Sequence, residues 1–190
     1  MIFEAVDSKN SLVVASDVVS DINDSNQLFN MVSNASQNLN TVPLSSIADM
    51  GYFNAEQIAS CENLNTNVFV KRPKSKNSSN NSNFSIDKFK FIPERNLYIC
   101  PAGNELTFSH NLSKKKHKFD SAPSIVGFEY SGADCFNCPY FRKCTFSLSG
   151  RKITHNFFQD TLDIVEKRFS QNPEMYTLRK CVVEHPFRYN

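Results

Sequence analysis

Ile47-Ala48-Asp49-Met50-Gly51-Tyr52 is a short apolar run that ends in a carboxylate and is then broken by a glycine. Such a run is how a buried strand delivers an acid to the carboxyl edge of a sheet, where open α/β sheets place their ligands. An Asp at this position equally suits a plain turn, with its carboxylate capping the residues that follow. The flanking segments decide between the two.

Upstream, residues 2 to 7 and 11 to 20 are apolar, β-branched runs separated by the turn-rich Asp7-Ser8-Lys9-Asn10, which reads as a β-hairpin. Asp24 with Gln27 has the spacing of a capping box, and Leu28, Met31, Val32, Ala35 and Leu39 recur at helical intervals, so a helix is expected from about 25 to 39. Residues 45 to 49 form the strand that carries Asp49. Asn54 with Gln57 opens a second helix to about Leu64, and Val68-Phe69-Val70 is a further strand. Strands alternating with helices make this an α/β layer fold.

The rhythm stops at Lys71-Arg72-Pro73-Lys74, which runs into a polar, Asn- and Ser-rich tract from 77 to 83 with nothing to bury. Residues 84 to 152 are aromatic and lysine-rich and hold Cys100, Cys135, Cys138 and Cys144 in the form C-x34-C-x2-C-x5-C. A close thiolate pair completed by two further cysteines suits zinc or an iron-sulfur cluster. Free structural thiols are the competing reading, and His110 or His117 are substitutes for one ligand. Cys61 and Cys181 fall in expected helices and read as small buried hydrophobes. Basic clusters at Lys71, Arg72, Lys74 and Lys76, at Lys114 to Lys118, and at Arg142, Lys143, Arg151 and Lys152 are interleaved with Phe119, Tyr140 and Phe141, a composition that suits either a nucleic-acid surface or a solvated exterior.

Beyond this block, Phe158, Leu162, Val165 and Phe169 mark a helix with one buried face, and Asn172-Pro173-Glu174 starts another with Leu178 and Val182 as its expected inward stripe. The expected organisation is therefore 1–72 and 153–190 as one core, with 73–152 as linker and Cys-rich insertion. A net charge of +2 over 190 residues excludes an argument for nucleic acid from bulk charge alone. No window reaches the roughly 20 apolar residues of a membrane span. Six cysteines without a secretion signal point to a reducing, cytoplasmic setting.

Four motifs occur in one order: Ala48-Asp49-Met50-Gly51-Tyr52, Tyr98-Ile99-Cys100-Pro101-Ala102-Gly103, Cys135-x2-Cys138-Pro139, and Val183-Glu184-His185-Pro186-Phe187. Together they resemble a bacterial or archaeal insertion-sequence transposase of the DDE class, whose catalytic domain is RNase H-like, over nearly the whole chain. The resemblance implies that Asp49 is the second acid of an Asp-Asp-Glu triad on the fourth strand and Glu184 the third, on the final helix. These would hold two Mg²⁺ or Mn²⁺ ions roughly 4 Å apart over a phosphodiester. It also implies that Tyr176, Arg179 and Lys180, with Lys71 and Arg72, contact DNA. In that order the strands at 2–7 and 11–20 are the second and third, and Asp7 is a turn residue. The first acid would then lie on a strand outside this sequence, with Asp7 itself as the alternative first acid. The family's lysine seven residues past the Glu would fall at 191, beyond Asn190, and Arg188 stands where the family has Gly. The expectation is a transposase fragment truncated at both ends and inactive, with open strand edges that favour self-association. The alternative is a non-catalytic nucleic-acid-binding module built on the four cysteines.

Overall fold

A computed structural model describes residues 1–20, 23–73, 82–114 and 124–183. The chain divides into two compact units, Met1–Pro73 with Phe158–Asn190, and Lys74–Phe157. The second unit thus interrupts the first, and the chain returns to the first at Phe158.

In the first unit, β1 (Ile2–Val6) and β2 (Val13–Val18) form an antiparallel hairpin, as the alternation of β-branched residues predicts. Asp7 sits in its turn, where its carboxylate accepts from the Lys9 and Asn10 backbone N–H groups and from the Asn10 amide. Those backbone bonds hold the Asp7 carboxyl below its usual range. Helix α1 (Leu28–Leu39) follows, and ends at Asn40 in the left-handed conformation that Asn tolerates. The Asp24–Gln27 box does not form. Asp24 instead opens a separate 3-10 turn, Asp24–Asn26, in which Asn23 is the side-chain cap, and Gln27 precedes α1 without a capping bond of its own. The N-terminus of α1 is served from another helix, where the Gln57 side chain accepts from Phe29 N–H at 3.0 Å.

Strand β3 (Ser45–Ala48) and strand β4 (Asn67–Val70) pair in parallel, joined by α2 (Ala55–Asn63) as the crossover. Asn54 caps α2 as expected, accepting from Glu56 and Gln57 N–H. The two ladders, β1–β2 and β3–β4, are separate sheets, each strand paired on one edge only. Helix α1 serves both. Its Leu28 and Val32 enter the core of Ala48, Ile58, Cys61 and Val68, while Met31 and Ala35 pack with Phe3 and Ala15. This mixed α/β arrangement agrees with the fold class read from the sequence.

The second unit is a five-stranded antiparallel meander: β5 (Lys90–Ile92), β6 (Leu97–Ile99), β7 (Glu105–Ser113), β8 (Ile125–Ser131) and β9 (Lys152–Asn156). Phe89, Tyr98, Leu106, Tyr130 and Ile153 form its core. A short helix, α3 (Phe141–Cys144), lies between β8 and β9.

Back in the first unit, α4 (Gln159–Gln171) buries Leu162 and Val165 against β4 and α2, and α5 (Glu174–Val183) follows. The expected inward stripe of α5 is corrected here. Leu178 is 38% exposed, and the less exposed positions are Met175, Tyr176, Arg179 and Val182. Arg168 of α4 donates to both carboxylate oxygens of Glu62 on α2, while Glu62 also accepts from Val68 N–H at 2.7 Å. Removing one partner of such a shielded pair strands the other charge. Glu62→Ala should therefore lower stability by about 2 kcal/mol, read as a drop in the urea midpoint of the full chain.

All six cysteines are free thiols. Cys61 is fully buried as expected, and burial, with Glu62 beside it, pushes its thiol up to about 12. Cys181, expected to be buried, is exposed because α5 turns that side of its helix outward. A thiol reagent near neutral pH should modify Cys181 in the native chain and reach Cys61 only after denaturation, as peptide mapping would show.

Candidate functional site

The site grows from the C-terminal end of β3. Ala48 is buried in the core, and Asp49 follows it in extended conformation at the start of the Met50–Tyr52 turn. Its carboxylate makes no capping bond to that turn. It accepts instead from Arg179 of α5, Nη1 to Oδ2 at 2.8 Å. The Arg179 side chain is only 16% exposed and that of Asp49 is 48% exposed, so the pair has an inner cationic end and a carboxylate that solvent or a ligand can reach. The Arg179 guanidinium lies 5.5 Å from the centre of the Tyr176 ring, and the Lys180 ammonium 5.7 Å from the same ring. Tyr176 itself packs edge-on against Phe169 of α4. Residues 130 positions apart in sequence are thereby joined at one sheet end.

A second acid is present that the sequence patterns did not single out. The 3-10 turn carrying Asp24 packs on the turn carrying Gly51, and a Cβ added to Gly51 would stand 3.3 Å from Asp24 Oδ2. The glycine therefore leaves room for a carboxylate. Tyr52, half-buried between the two cores, has its phenol pushed above the usual value by burial and then by the negative charges of Asp24 and Asp49. Both acids consequently face the same ring. Nothing in the local sequence distinguishes Asp24 from an ordinary helix cap, since its proximity to Asp49 comes from the docking of two turns.

The other expected site residues are scattered in role. Asp7 is held in the β1–β2 turn by its own loop. Lys71 is exposed, and Arg72 pairs with Glu166 at 3.4 Å on the surface. Arg151 turns its guanidinium over Phe89, and Lys152 pairs with Glu129 at 2.8 Å, so the basic cluster near β9 is partly spent inside the fold. Glu184, Lys74, Lys76, His117 and Lys115 to Lys118 lie outside the described residues. His110 sits on β7 beside Glu129, away from the role of a cysteine substitute. Cys100, Cys135, Cys138 and Cys144 all lie in the second unit, near enough that the other three raise the thiol of Cys144, after burial as the main cause.

Two carboxylates are the right donor chemistry for Mg²⁺ or Mn²⁺. Among the described residues, however, no group of three or more His, Cys, Asp or Glu side chains stands arranged to hold an ion, and Arg179 already engages one Asp49 oxygen. The described residues alone do not complete a two-ion cage.

Residues 99–187 match the family model of the transposase DDE domain. The match spans just under half of the chain and makes this segment similar to the DDE domain of transposases. The match begins at the end of β6, runs through the cysteines, α4 and α5, and closes on the Glu184-His185-Pro186-Phe187 box. Asp49 precedes it. No curated protein and no solved structure matches the chain. No helix among the described residues is long and apolar enough to cross a membrane.

The shared environment of Tyr52 has a measurable consequence. Its phenol should ionise above the ordinary value of about 10, and Asp24→Asn and Asp49→Asn should each bring that titration down, as followed by ultraviolet absorbance. Because the folded value is raised, stability is unaffected below the ordinary phenol range and falls as pH climbs through it, where only the unfolded chain gives up the proton.

Proposed function

We propose that the first unit is the catalytic body of an insertion-sequence transposase and that Asp49 is one of its metal-binding acids. The observation that carries this reading is the 2.8 Å contact between Asp49 and Arg179. It joins the carboxyl end of β3 to the helix that leads into Glu184, which is the convergence a triad needs. Two separate ladders under one helix, with β1 and β3 each paired on one edge among the described residues, support an RNase H-like order. The same open edges suit pairing with a second copy.

In this reading Asp49 and Glu184 would supply hard oxygen ligands for Mg²⁺ or Mn²⁺, and Asp24 is a further acid beside the Gly51 turn. Ions held there would supply Lewis-acid activation of a water or 3′-hydroxyl and charge neutralisation at a DNA phosphodiester. Arg179 holds the Asp49 carboxylate in place and offsets its charge while no ion is bound. Tyr176 fixes the guanidinium from its ring face, and Lys180 adds a cation beside it for the DNA backbone. The chain's part in transposition is thus strand cleavage and joining at element ends.

Mn²⁺ titration of the full chain, followed by calorimetry and by nicking of supercoiled DNA, tests the assignment. Asp49→Asn should weaken Mn²⁺ binding by at least about tenfold and abolish any Mg²⁺- or Mn²⁺-dependent nicking. Arg179→Met should loosen Asp49 and weaken binding less. Mn²⁺ affinity that is unchanged in Asp49→Asn would remove Asp49 from the site.

A further inference from the structure

The second unit contains a segment whose order its own packing does not explain. From Ala133 to Ser149 no residue is buried, and Phe136, Phe146 and Leu148 are 67%, 77% and 74% exposed. Apolar burial is what ordinarily compensates the entropy of fixing a chain. Here it is missing over two short helical turns and two connecting loops. What these residues do share is three cysteines, none of them exposed and none in a disulfide, with a fourth at the end of β6.

The backbone around these thiols is shaped to receive sulfur. The tight turn after Cys100 brings Gly103 N–H to Cys100 O at 2.9 Å and Asn104 N–H to Cys100 Sγ at 3.3 Å. On the facing loop Arg151 N–H donates to Cys135 Sγ at 3.4 Å. Two glycines close over that same sulfur. A Cβ on Gly132 would lie 2.7 Å from Cys135 Sγ, and one on Gly150 would lie 3.3 Å from it, with Gly150 also at φ +82. Cys138 caps the turn that holds Cys135, and Cys144 ends α3 against the sheet core. Cys100 and Cys144 both pack against the sheet core, and Cys135 and Cys138 share one turn, closed by Cys138 N–H donating to Cys135 O at 3.2 Å.

We infer that Cys100, Cys135, Cys138 and Cys144 bind one zinc ion, which fastens the Ala133–Ser149 segment to the β6–β7 turn. No three of these thiols stand in coordinating arrangement in the chain alone. The segment that carries three of them buries none of its own residues, so a bound ion would supply the fastening that its packing lacks. Four thiolates fill a tetrahedral shell, which makes the site structural, without an open position for catalysis. Binding displaces any protons still on the four sulfurs to solvent and changes no oxidation state. The site is separate from Asp49 and stands or falls independently of the catalytic reading.

Metal analysis of the full chain purified without added metal provides the test, together with mercurial release of the ion and cobalt exchange. One zinc per chain is expected, released as the thiols are titrated, and Co²⁺ in its place should give the charge-transfer absorption of tetrahedral thiolate. Cys135→Ser and Cys138→Ser should each lose nearly all the zinc, whereas Cys181→Ser should keep it. Since the first two variants may unfold the loop, the cobalt spectrum of the unaltered chain is the independent reading. A folded chain free of metal with all its thiols reactive, iron with acid-labile sulfide, or zinc that is lost on Cys181→Ser would each overturn the assignment.

Discussion

The first unit depends on one ion pair. Glu62 and Arg168 stand 106 positions apart, with the whole second unit between them, and their contact ties α2, α4 and the backbone of β4 together. The parallel β3–β4 ladder is only two strands wide and gains most of its shielding from the helices laid across it. Besides the clamp, α4 is held by the burial of Leu162 and Val165 and by the surface pair of Glu166 with Arg72. A charge pair shielded on both sides is a costly way to join two helices unless its geometry is well met. Here the carboxylate is engaged by two guanidinium nitrogens and a backbone N–H, and the guanidinium also reaches Val68 O.

Much of this architecture was legible from local pattern. The hairpin, the Asn54 cap, the crossover helix and the two parallel strands all follow from periodicity and turn chemistry within a dozen residues of one another. What was not legible has a common cause. The start of α1 was misplaced because its first N–H groups are served by Gln57 from a different helix. The inward face of α5 was sought among Leu178 and Val182; Val182 is half-buried, but Leu178 is exposed and the helix turns Arg179 toward a carboxylate instead. Hydropathy cannot register that preference. Asp24 was passed over because nothing near it in sequence says that Gly51 will leave it room.

Asp49 shows both sides of this. Its strand was readable from five residues, and its alternative, a turn cap, was equally readable. The decision came from its hydrogen bonding, since the carboxylate ignores the adjacent turn and engages an arginine on the last described helix. The family match covers the cysteines and the final helices, and the Arg179 contact joins Asp49 to the last of those helices.

The interrupted layout also bears on how the chain folds. The second unit is a meander whose strands pair with sequence neighbours, so its contacts close short loops and form early. The first unit must bring Glu62 to Arg168 across the intervening segment, and the entropy of that closure is smaller once the segment is itself compact. During synthesis, α1, α2 and the four strands of the first unit emerge well before α4 exists to cover them. In that interval the β3–β4 ladder has one bare face, and the speed with which residues 82–157 fold sets how long it stays so.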